Sequence, residues 1–499
     1  MKPAGDTLPR FPALLWLSAI YIASRIGFWL VGVRFDLRPI DTSWQILDPV
    51  LLRTNLLESV FYMPGQPPLY NLMLGLVLKI SDDDMVLAAI FRGLYSAMAL
   101  ASVLLLYAVM RRLGVGKTLA FVVAVVFMLT PALVLYEAIP YYTLPILALL
   151  GAIAWLFQAC MQRFSLPCAV ALFMAMAVLI YTRSMFQWQW FVVLAIFTAL
   201  VLPGHRRQVL LAAALPLLLV FALYGKNLVI TGHFATSDWM GMSLSKLTTL
   251  AIDDAERQRM IDTGELSELA SLKAFSPPEQ YPQTFEATPA TGIAVLDSPR
   301  RSTDHINYNH LAYVAISDQA LADALVSIRA HPEVYLQSMG TAWLMFLRPA
   351  SDYPFLVDNR AEIEPWSRAF SSWLAMQPSY PHKPGFDLEA TQIGWLIGLG
   401  YGLAVLYGLW VLLRCGWRRQ ASAADAVIIF LWLNIMYVSV IGNAFEVDEN
   451  QRFRFSVNPF IAALLAVMAQ RAWASARIGC WRTGNTGRAR PTRGQAGQR

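Results

Sequence analysis

The chain has 499 residues, of which 57% are hydrophobic and only 14% charged, with a net charge of +6 and a mean hydropathy of +0.48. A soluble domain carries roughly a quarter charged residues. The apolar excess here lies in continuous blocks of about 20 residues, the length of a helix crossing a ~30 Å hydrocarbon core. Continuous rather than alternating blocks exclude a β-barrel. Because the excess Lys and Arg fall in short connections between the blocks, the charge points to cytoplasmic loops and away from nucleic-acid binding.

Lys2 and Arg10 precede the first predicted span, 11–33, and place the N-terminal tail 1–10 in the cytoplasm. No small-residue cleavage site follows, so the span reads as a retained anchor. The polar segment 34–84 comes next and carries Asp36, Asp41 and Asp48. Inside it, 67–80 is apolar but short. If it crossed, Arg111 and Arg112 would move outside, so it reads as a re-entrant or interfacial helix opened by Pro67 and Pro68. Spans follow at 85–110, 118–135, 139–160, 166–183, 186–202 and 208–230, with Arg111, Arg112, Lys117, Arg163, Arg206 and Arg207 on the cytoplasmic side. The segment 231–390 is too long and polar for a connector, and 332–349 within it reads as an amphipathic helix lying on the membrane. Spans at 391–413, 423–442 and 456–475 complete about ten helices, and a basic tail, 476–499, reads as disordered and cytoplasmic. The expectation is an all-α polytopic protein of a bacterial inner membrane, with both termini cytoplasmic and 34–84 and 231–390 in the periplasm. Cys160, Cys168, Cys415 and Cys480 form no CxxC pattern and predict neither a disulfide framework nor a metal site. Nothing in the sequence requires a cofactor, and no spacing of ligands supports a divalent metal.

The middles of the spans are nearly free of charge, whereas transporters place ionisable groups there. Charge collects instead at the predicted outer ends: Asp41 and Asp48, Glu137, Arg183, Lys226 and Asn227, then Glu446, Asp448, Glu449, Arg452 and Arg454. Such a ring suits a site that takes one substrate from lipid and another from water. A phosphate there needs Arg or dense hydrogen-bond donors, and attack on a sugar anomeric carbon needs a carboxylate base. Each residue also has a plainer role. Asp48 before Pro49 is a good helix cap, as is Asp41. Tyr62 fits an aromatic belt, Glu137 a solvated helix end, Arg183 a snorkelling side chain, and Glu449 with Arg452 a surface ion pair.

Several motifs, in order over residues 11–475, resemble the GT-C superfamily of polyprenyl-phosphate-sugar-dependent glycosyltransferases, which includes protein O-mannosyltransferases and the lipid A aminoarabinose transferases. They are Asp48 followed by Tyr62-Met63-Pro64-Gly65-Gln66-Pro67-Pro68-Leu69-Tyr70-Asn71, then Tyr136-Glu137, Tyr181-Thr182-Arg183-Ser184, Lys226-Asn227 through Gly232 to Phe234, His331-Pro332-Glu333-Val334-Tyr335, and Glu449-Asn450-Gln451-Arg452-Phe453-Arg454-Phe455 before Pro459. The resemblance implies a GT-C-type helix bundle that moves a sugar, with inversion, from a polyprenyl-phosphate carrier to a periplasmic acceptor. It implies Asp48 as base with Asp41 as the rival, Glu137 helping to hold the sugar, and Tyr62, Gln66, Arg183, Asn227, Glu449, Arg452 and Arg454 as substrate contacts. Gln66 stands where relatives carry His or Lys. A glutamine hydrogen-bonds a phosphate without neutralising it, so the charge falls to Arg183 or Arg452. A lipid-linked glycan transporter and a non-catalytic subunit of a glycan assembly complex are the alternative readings. Protein, lipid A, teichoic or arabinan-type glycan and O-antigen all stay open as acceptors.

Overall fold

A computed structural model describes residues 11–381, 390–418 and 420–484. The predicted N-terminal tail lies outside these residues. The apolar blocks form α1 (Phe11–Leu30), α2 (Asp84–Arg112), α3 (Lys117–Met128), α4 (Thr143–Gln162), α5 (Leu166–Thr182), α6 (Trp188–Val201), α7 (Arg206–Thr231), α8 (Trp395–Arg418), α9 (Ala423–Phe445) and α10 (Asn450–Gly484). By length and composition seven of them, α1, α2, α4 and α7 to α10, can cross a membrane. The other three are apolar but shorter, at 12, 17 and 14 residues for α3, α5 and α6. The fold is an all-α polytopic bundle, with no strand among the described residues.

Local chemistry sets the ends. The Asp83 carboxylate accepts from Met85 N (2.7 Å) to open α2, and Ser422 with Asp425 forms a capping box that opens α9. Gly232, at φ +83°, closes α7 in the left-handed conformation. The block predicted as one span at 118–135 is broken. Thr130 caps a separate turn, Pro131–Tyr136, with its hydroxyl accepting from Leu133 N at 3.4 Å. Two boundaries at the other end of the chain also move. α10 starts at Asn450 rather than 456, so Arg452 and Arg454 are helical, and it continues to Gly484. Residues 476–484, expected to be disordered, are therefore helix, while 485–499 lie outside the described residues.

Residues 67–80 yield the ten-residue helix Leu69–Leu78. At 1.5 Å per residue it is about 15 Å long, too short to cross. α10 is central, packing on α2, α3, α4, α8 and α9. Its neighbours meet through large rings, such as Phe157 on Phe430 at 4.0 Å. At one end of the bundle the basic residues gather, where Arg414 and Arg471 share Asp425 (2.7 and 3.4 Å) and Gly116 N reaches Gln470 Oε1 (3.1 Å). Glu137, Arg183, Asn227 and Glu449 lie at the helix ends opposite, as the charge pattern predicts.

The long polar segment builds a small unit of its own around Trp239, Phe275, Tyr308 and Tyr313. Here Met240–Leu247 crosses Ala312–Ala330 so closely that a Cβ on Gly241 would sit 1.8 Å from the Ser317 carbonyl oxygen. Backbone cannot yield as a side chain can, so Gly241→Ala is expected to destabilise the protein by more than the ~1–3 kcal/mol of ordinary overpacking, read as a lower melting temperature in detergent. The helix expected to lie on the membrane at 332–349 is Pro332–Phe346. It packs one face against α9 and α10, burying Ala342, Met345 and Phe346, and leaves Leu336 and Leu344 exposed on the other.

Candidate functional site

Where α10 begins, Glu449 and Arg452 are three residues apart, one helical turn, and so share a face. Arg452 is 2% exposed and forms an ion pair with Glu449. Aromatic rings enclose its guanidinium: Tyr141 at 4.8 Å, Tyr142 at 5.0 Å, Tyr353 at 5.2 Å and Phe453 at 5.5 Å. A desolvated cation over such faces gains about 2 kcal/mol per good contact, which offsets part of the cost of burying the charge. The Tyr353 hydroxyl donates to Glu449 Oε1 (2.7 Å) and lies 3.2 Å from the Tyr141 hydroxyl. Among the described residues the Arg452 Nε has no hydrogen-bond acceptor.

Arg183 joins this group from the end of α5. It donates to the Tyr142 hydroxyl, lies 4.5 Å above that ring and 5.7 Å from Phe453, and stays half-buried. Two guanidiniums thus flank the Tyr142 ring. Beside Arg183, the Ser184 hydroxyl reaches Gln66 Oε1 (3.3 Å). Three predicted residues, Arg183, Glu449 and Arg452, are therefore linked through the Tyr142 ring and the ion pair, and Gln66 stands next to them on Ser184. The loop carrying Gln66 is clamped through its backbone: Ser237 Oγ to Gly65 O (2.5 Å), Asn309 Oδ1 to Gly65 N (3.2 Å), and Lys226 Nζ to the Phe61 and Met63 carbonyls (2.8 and 3.2 Å). A Cβ on Gly65 would meet the Trp239 ring at 2.6 Å.

Other predicted residues are engaged elsewhere. Asp48 takes the capping role, with Oδ1 accepting from Val50 N (2.8 Å) and from Ser302 Oγ (2.6 Å), and Oδ2 from Ser302 N (2.6 Å). Glu137 is buried, not solvated, and accepts from Arg25 Nε at Oε2 (2.7 Å) and from Ser96 Oγ at Oε1 (2.6 Å), tying α1 to α2. Breaking a buried pair strands its partner. Glu137→Ala is therefore expected to cost ~3–5 kcal/mol of stability, measured by thermal unfolding in detergent, and Glu137→Gln less. Asn227 Nδ2 reaches Ala235 O (2.6 Å) and fixes the turn after α7. Arg454, two residues from Arg452, points elsewhere, to the Phe346 carbonyl and Asn458 Oδ1. Tyr62 packs against the core and Phe61 (5.1 Å between rings).

Asp41 is different. Its carboxylate, on an exposed residue, has no hydrogen-bond partner among the described residues, and partial desolvation raises its pKa from the ordinary value although Arg301 and His305 pull it down. The link between its segment and the arginine cluster is Gln45, whose Oε1 accepts from the Tyr141 hydroxyl at 2.8 Å. Residues missed from sequence are Gln45, Arg25, Tyr141, Tyr142, Ser184 and Tyr353. The pair Tyr141-Tyr142 just ahead of an apolar helix was the available signal, but it reads equally as an interfacial belt. Among the described residues no three His, Cys, Asp or Glu side chains stand together as a metal site.

No family model and no curated protein sequence matches this chain. Two solved structures are similar to it. One is the archaeal oligosaccharyltransferase AglB from Archaeoglobus fulgidus, in complex with an inhibitory peptide and a dolichol-phosphate, at TM-score 0.39 and 12% identity over 96% of this chain and 52% of that one. The other is the Archaeoglobus fulgidus oligosaccharyltransferase in the apo form, at TM-score 0.34 and 11% identity over 92% of this chain and 52% of that one. This chain spans about half the length of each.

Proposed function

We propose that the protein is a membrane glycosyltransferase that moves a sugar from a polyprenyl-phosphate carrier to an acceptor in the bacterial periplasm. The observation that carries this reading is the half-buried Arg183 beside the caged Arg452, at the end of the bundle opposite the basic loops. With Glu449 balancing Arg452, the cluster keeps about one positive charge in excess, which matches the single charge of a phosphodiester. Arg183, Gln66 and Ser184 hold the phosphate, and the orphan Nε of Arg452 backs them. Asp41, unpartnered and raised in pKa, is better suited than the capped Asp48 to take the acceptor proton.

The test uses purified full-length protein in nanodiscs with a panel of undecaprenyl-phosphate sugars and an envelope extract as acceptor source. Release of undecaprenyl phosphate with label entering the extract is the expected result. No release from any member of the panel, or passage of intact lipid-linked sugar across vesicles holding the protein, would replace this reading with the transporter.

A further inference from the structure

The helix Glu364–Ala375 carries its polarity the wrong way round for a helix packed on a protein core. Ser367, Ser371 and Ala375, at four-residue spacing, face inward and are buried. Trp366 and Trp373, on the opposite side, face outward, 41% and 59% exposed, with the half-buried Phe370 on the flank between them and the buried face and Met376 exposed just beyond. Small residues bring the helix close to the bundle, and Trp366 and Trp373 keep large exposed ring faces.

The position of the helix says what covers them. It packs against α8, and Trp366 Nε1 donates to Leu129 O (2.9 Å), at the end of α3. Both neighbours are membrane helices at their site ends. The exposed face of α8, on which the helix packs, carries Trp395, Leu399, Leu406 and Leu413. That face belongs to a helix long and apolar enough to span, so its natural solvent is lipid. The other flank of the short helix is polar, with Arg368 Nε bonded to Glu364 Oε1 (2.9 Å).

We infer that Glu364–Ala375 is an interfacial anchor whose Trp366–Trp373 face sits among the lipid headgroups and upper acyl chains at the site end of the bundle, with Arg368 toward water. Amphipathic rings favour that depth. Earlier in the same segment Tyr353 donates to Glu449, and after the helix the Tyr380 hydroxyl meets Asp352 Oδ2 (2.5 Å) and Gln392 O (2.8 Å). The inference requires only that the bundle spans a membrane, and it stands whether or not sugar transfer is the reaction.

The test is nitroxide labelling of Trp373→Cys, and separately Arg368→Cys, in a chain whose four native cysteines are serine, reconstituted in POPE/POPG nanodiscs. Accessibility to oxygen relative to a water-soluble nickel reagent is expected to be several-fold higher at position 373 than at 368 and close to that of a Leu406→Cys label on α8. Equal access of both reagents at 373 and 368 would overturn the inference, as would protection of 373 from both, which would mean a covering protein. Should the labelled chain fold poorly, brominated-lipid quenching of native tryptophan fluorescence decides. Quenching is expected to fall in a Trp366→Leu/Trp373→Leu variant, and unchanged quenching would be equally fatal.

Discussion

Arg183→Ala is expected to abolish nearly all transfer, with kcat/KM falling about 10²–10³-fold, the usual loss when one charge-stabilising donor is removed from a dry site. Three features make this residue the sensitive one. It is the cluster's half-buried guanidinium, where Arg452 is enclosed by rings and paired with Glu449. Gln66, which accepts from the adjacent Ser184, brings no charge. Its protein partner is the ring and hydroxyl of Tyr142 rather than a carboxylate, which a phosphate can outcompete. Arg183→Lys keeps the charge and loses the planar fork, so partial activity is expected, with KM for the lipid donor raised more than kcat is lowered. Full activity in Arg183→Ala, with the protein folded by its melting profile, would remove the phosphate site from this end of the bundle.

The second large effect separates two loop acids that sequence alone left as rivals. Asp41→Asn is expected to lower kcat by about 10²–10⁴, the range supplied by a general base, with little change in melting temperature. Asp48→Asn is expected to do the reverse. Its carboxylate caps Pro49–Thr54 and holds Ser302, so the loss is about 1 kcal/mol of stability and only a few-fold in rate. The pH profile gives an independent check. A base must be deprotonated to work, so activity falls as pH drops through its pKa. Because partial desolvation holds Asp41 above its ordinary value, the acid limb is expected above the free carboxylate value of ~3.9, and Asp41→Asn should flatten it. If Asp48→Asn instead loses the rate and the acid limb, the roles of the two acids are exchanged.

The sequence reading singled out Gln66, Arg183, Glu449 and Arg452 because each sits at the same end of its helix and helix ends are legible in hydropathy. It could not separate those four from Glu137 and Asn227, which lie at the same end and are consumed by structure. Nor could it see the tyrosines. Tyr141, Tyr142 and Tyr353 carry no charge and follow no spacing rule, yet they make the cage that lets a buried arginine exist.

By itself the sequence determined that the chain is a bundle of membrane helices, that its basic loops share one end and that its acids and arginines share the other. Those are sums over neighbouring residues, since hydropathy over 20 positions and the sign of a loop need no partner. Only the tertiary structure decided which polar groups remain available for chemistry. Arg25 claims Glu137 from 112 positions away and Ser302 claims Asp48 from 254, and no local pattern encodes a partner so remote. The physical reason is desolvation: once the bundle closes, every buried charge must find a counter-group wherever the fold supplies one, and the groups left over define the site.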